Sequence, residues 1–146
     1  MRLDLPSLNT EHPQNSAILD FLRAQGSPPS GPNDYALGEW QLHTHPDLQD
    51  RMTELAPRAA LHAAYGVPVL AYEGIAAAVA LGMSTLLLRL PAAPPKLKAD
   101  PPVPALAEHG WQGVDAWQSE LPSAEGDRRL SGALRGALAN VRDLIS

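Results

Sequence analysis

Val67-Pro68-Val69-Leu70-Ala71-Tyr72, then Glu73-Gly74, then Ile75 to Leu81, Gly82, and Met83-Ser84-Thr85-Leu86-Leu87-Leu88-Arg89-Leu90 form the stretch on which the fold turns. The first run is short, apolar and rich in residues that suit a pleated, buried surface. Glu73-Gly74 reads as a two-residue hairpin turn, with glycine supplying a positive φ. Gly82 divides the second run from the third. Three antiparallel strands follow from this reading, a meander. Ala76-Ala77-Ala78 prefers helix, so strand–helix–strand is the alternative for 75–81. The connections favour the meander, because a parallel crossover needs about a dozen residues. Gly74 to Leu88 carries no charge. It is shorter than the roughly 18–20 residues that cross a bilayer, and Gly82, Ser84 and Thr85 interrupt it. A buried sheet is expected and no membrane partner.

Toward the N-terminus, Pro57 breaks or kinks the chain, and Arg58 to Tyr65 is expected to form a second helical segment. The helix before it shares Leu48, Met52 and Leu55 on one face. Thr44-His45-Pro46-Asp47 reads as its start, with Thr44 as cap and Asp47 at the capping-box position. Tyr35 to His43 can form a strand, Gly26 to Asp34 is a proline- and glycine-rich loop, and Glu11 to Gln25 is a first helix ended by Gly26. Toward the C-terminus, residues 91–105 hold six of the chain's 15 prolines and read as an extended, mobile connector. Trp111 to Trp117 is a short element of undetermined type. Asp127 to Ile145 is the strongest helix, with Leu130, Leu134, Ala137, Leu138, Val141 and Leu144 in one stripe. Gly132 and Gly136 thin it for close approach to a neighbour. The expected fold is a single α+β domain, 1–146: a small antiparallel β-meander flanked by helices, with a proline-rich excursion before the C-terminal helix.

The chain has 146 residues, 45% hydrophobic and 18% charged, which suits one folded domain. It has no cysteine, which excludes disulfides, thiolate metal sites and cysteine nucleophiles. A net charge of −5 argues against a nucleic-acid partner. The first residues, Met1-Arg2-Leu3-Asp4-Leu5-Pro6, lack an export signal, so the cytoplasm is expected. Gly-rich phosphate loops and Gly-x-Ser-x-Gly are missing, and no cofactor is expected.

His43-Thr44-His45-Pro46 is the most chemically suggestive string. Alternate residues of a strand face one side, so His43 and His45 can present two imidazoles to one metal. The string resembles the His-Ser/Thr-His-Pro core of the JAMM zinc isopeptidases. That resemblance implies His43 and His45 as zinc ligands in a metal-dependent hydrolase. The family's later serine and aspartate ligand fall at Thr53 and Ala56 here, so the third ligand is missing. Glu11 matches the family's upstream glutamate only loosely.

Glu73 and Arg89 bracket the apolar stretch and can line a small polar pocket or form a rim ion pair. Trp111 and Trp117 can stack a ligand or pack onto the sheet. Arg128, Arg135 and Arg142 recur every seven residues at one edge of the last helix. They make an anion- or partner-facing edge or a solvated flank, and nearby Asp127 and Asp143 favour the flank.

Tyr65-Gly66-Val67-Pro68-Val69-Leu70, Gly82-Met83-Ser84-Thr85, Arg89-Leu90-Pro91 and the later tryptophan segment, taken together, resemble a group of small uncharacterised bacterial proteins. That resemblance implies sheet over Ile75 to Leu90 and carries no activity. The function expected is a non-enzymatic cytoplasmic binding or interaction protein, with the His43/His45 hydrolase as the alternative. A homodimer is expected too, because the proposed strands carry few charges to blunt their edges.

Overall fold

The computed structural model describes residues 8–25, 44–65, 67–92, 94, 96–99 and 104–145. The loop expected at Gly26 to Asp34 and the strand expected at Tyr35 to His43 lie outside them. A 3-10 turn (Pro13–Asn15) leads into α1 (Ser16–Gln25), followed by α2 (Pro46–Leu55). Four strands come next: β1 (Ala60–Ala64), β2 (Val67–Tyr72), β3 (Ile75–Leu81) and β4 (Thr85–Leu88). A short α3 (Pro104–Ala107), β5 (Gln112–Asp115) and the long α4 (Ser123–Ile145) complete the α+β fold.

Among the described residues the sheet is an antiparallel meander of five strands in chain order. The alanine-rich middle run is a strand: paired on both sides, it overrides a helix preference of less than about 1 kcal/mol per residue. Leu70 pairs with Ala78 but Ala71 pairs with Ala76, so Ala77 is the extra residue of a β-bulge. The bulge resets the alternation, and Ala77 and Ala78 both join the core cluster beneath α2 and α4.

Both faces of the sheet are covered. Leu70, Ala80, Leu86, Leu88 and Val114 pack with α2 and α4, through Leu48 and Met52 and through Leu130, Leu134, Ala137 and Val141. Val69, Val79, Leu87 and Trp111 pack on the opposite side with Ile18, Leu19 and Leu22 of α1 and Leu106 of α3. Asn15 fastens that second layer. Its Nδ2 donates to the Gly74 carbonyl at 2.9 Å and its Oδ1 accepts from the Ala76 amide at 2.8 Å.

Two expectations change, and one undetermined element acquires a type. Arg58 to Tyr65 is not helical: β1 pairs with β2 from Ala60↔Ala71 to Ala64↔Val67. The hairpin turns at Tyr65, whose φ is 48°. The cap of α2 is His45, not Thr44. With Pro46 at the first helical position, His45 Nδ1 accepts from the Asp47 amide at 3.0 Å. Thr44 Oγ1 is turned away and donates to the Ala80 carbonyl at 2.7 Å. The element at Trp111 to Trp117 is the edge strand β5. Its outer side meets the connector, through an Ala99↔Val114 bridge and an Asp115 amide bond to the Lys98 carbonyl.

Candidate functional site: a charged-rim cleft between α2, α4 and the end of β2

Pro57 stops α2 just after Leu55, and the chain doubles back through Arg58 and Ala59 into β1. β2 ends at Tyr72, where the turn Glu73-Gly74 takes φ values of 51° and 79°. Opposite, Ser131, Arg135 and Leu138 share one face of α4, spaced by four and three residues. These three elements enclose a cleft of about 740 Å³. Leu55, Ala56, Ala71 and Leu138 form its apolar lining; Glu54, Arg58, Glu73 and Arg135 stand around its rim with Tyr72. Ser131 Oγ donates to the Leu55 carbonyl at 2.8 Å, which ties α4 to the end of α2 and occupies the hydroxyl proton.

Of the residues singled out from sequence, Glu73 lines this cleft, exposed on the β2–β3 turn. Arg89 does not join it and makes no ion pair with it. Arg89 is only 5% exposed. Its Nη1 donates to the Gln14 carbonyl at 2.5 Å and its Nη2 to Gln14 Oε1 at 2.6 Å. The guanidinium carbon lies 5.6 Å from the Trp111 ring centroid. Burial holds the Arg89 pKa below the usual arginine range, since the charged form is desolvated.

The two tryptophans are apart. Trp111 is 2% exposed and packs in the α1-side core. Trp117 is 41% exposed, donates from Nε1 to the Met83 carbonyl at 3.0 Å, and carries Arg51 of α2 at 5.3 Å from its ring. They therefore do not form one stacking site.

His43 lies outside the described residues. At His45, Nδ1 accepts a backbone proton, so the neutral ring carries its own proton on Nε2. Neither nitrogen then offers a lone pair to a metal unless the cap breaks. Among the described residues no three His, Asp or Glu side chains gather as a metal site.

The seven-residue arginine series separates. Arg128 pairs with Glu125 and Arg142 with Asp143, as a solvated flank would. Arg135 alone of the three turns to the cleft. Sequence reading missed Arg58, Tyr72 and Ser131; Arg58 was placed in an expected helix, which hid its position at the cleft mouth.

Comparison with protein-family models, curated proteins and solved structures gives no match to this chain.

Proposed function

We propose that the chain is a cytoplasmic, non-enzymatic binding protein that holds a small molecule in the α2–α4–β2 cleft. The observation that carries this reading is the cleft itself: about 740 Å³ with an apolar lining and a charged rim. That lies within the roughly 300–1,000 Å³ typical of ligand sites, where apolar walls supply affinity and a few polar groups orient the guest. Ser131, the aliphatic hydroxyl in its wall, donates its proton to the Leu55 carbonyl, not to a carboxylate that could activate it. A thermal-shift screen of small amphipathic compounds against the full chain tests the reading. Stabilising hits should lose their effect when Leu138→Trp fills the cleft. Hits that survive that change would place binding elsewhere.

The same proposal includes a homodimer through the edge of β1. The other edge of the sheet is met by residues around Ala99, whereas β1 pairs only with β2 among the described residues. Its sequence, Ala60-Leu61-His62-Ala63-Ala64, has no lysine, glutamate or proline to discourage strand addition. Light scattering at micromolar concentration should give twice the 15.6 kDa chain mass. A mass that stays at the monomer value would remove the dimer. The hydrolase reading is separated by metal analysis. His45→Ala should cost the α2 cap about 1 kcal/mol without altering metal content. Stoichiometric zinc, lost in that variant, would replace the binding reading.

A further inference from the structure

Six of the eight arginines among the described residues are engaged. Arg23 pairs with Asp20, Arg51 with Asp127, Arg128 and Arg129 with Glu125, and Arg142 with Asp143, while Arg89 is held by Gln14. Among the described residues, Arg58 and Arg135 alone of the arginines make no ion pair and no side-chain hydrogen bond. Both stand on the rim of the same cleft, one at the end of α2 and one on α4. Glu54 and Glu73 share that rim, yet neither captures a guanidinium.

From this we infer, resting on the binding reading above, that the cleft takes an amphipathic anion: a carboxylate or phosphate monoester on an apolar body. The anionic head would be held by Arg58, just after α2, and Arg135, on α4. A guanidinium presents a planar fork of donors matched to the oxygens of either head group. The apolar body would lie on Leu55, Ala56, Ala71 and Leu138, where alanines leave width for a chain. With no ion pair of their own, both guanidinium groups are left to bind an anionic head at the rim. Because the rim is exposed, the attraction is screened by salt, and affinity falls as ionic strength rises.

Isothermal titration of the full chain with four eight-carbon probes below micelle formation tests this: octanoate, octyl phosphate, octanol and octylammonium. Octanoate or octyl phosphate should bind best, and the tighter of the two identifies the head group. Octanol should bind about tenfold more weakly or worse, the scale of a charged hydrogen bond. Arg58→Ala and Arg135→Ala should each weaken the anion by about tenfold and leave octanol unchanged. Circular dichroism checks that both variants fold. Glu73→Gln, on the same rim, should tighten the anion rather than weaken it. Octanol binding as well as octanoate, or arginine variants without effect, would overturn the anion clamp and leave the cleft as a binding site. Failure of all four probes would overturn both.

Discussion

Arg89 carries a charge where charge is expensive. Among the described residues no carboxylate pairs with it, Gln14 supplies both acceptors of its Nη groups, and its Nε and the neighbouring Trp111 Nε1 find no acceptor. The depressed pKa of a base is a penalty on folding wherever the group is protonated, relieved only as pH rises above its folded value. At neutral pH the penalty is fully present. Gln14→Ala should therefore destabilise by about 1–3 kcal/mol, because it strands a buried donor on a charged group. Arg89→Met, which keeps the volume and the contact with the Trp111 ring, should cost less. Urea unfolding of the two variants checks the order; a larger loss for Arg89→Met would show that the guanidinium is a net stabiliser. Glu125 behaves in the opposite sense. Hydrogen bonds from Arg128 and Arg129 hold its carboxyl below the ordinary 4.5. A lowered acid contributes stability above its unfolded pKa, lost as pH falls through the folded one. The stability gap between the protein and Glu125→Gln should thus be present at neutral pH and close on acidification below 4.5. A gap that persists in acid would assign the effect to something other than charge.

At the level of elements, Leu87 and Leu88 show what covering both sheet faces does. They point to opposite sides, yet are 4% and 0% exposed. Leu87→Ala and Leu88→Ala should each cost about 2–5 kcal/mol by denaturant unfolding. A small loss at one of them would mean that its layer is loosely packed. The strands 67–72 and 75–81 were legible because turn residues separate apolar runs too close together for any crossover. The stripe on α4 was legible because Leu130, Leu134, Ala137 and Val141 repeat at helical spacing. β1 was not, because alanine and leucine read as helix and only the pairing with β2 decides otherwise. Gly136 was read as a thin spot for close approach. A Cβ there would lie 3.6 Å from Leu90 Cδ2, an ordinary contact, so the neighbour does not require glycine.

Across the whole molecule, the cleft exists because three segments distant in sequence converge: 54–60, 71–73 and 131–138. Convergence of that kind leaves no local motif. Glu73 and Arg135 were visible as charged residues beside apolar runs, but their shared cleft was not, and Arg58 was hidden by the wrong element type. In His43-Thr44-His45-Pro46, the string with the clearest family likeness, His45 caps α2, while His43 lies outside the described residues. The most direct measurement is an amide NMR titration of the full chain with octanoate. Shifts should concentrate at residues 54–60, 71–73 and 131–138, and Arg58→Ala with Arg135→Ala should move their saturation to much higher octanoate concentration. Shifts centred on His45 or on Trp111 and Trp117, or no saturable shift anywhere, would contradict a binding cleft between α2, α4 and β2.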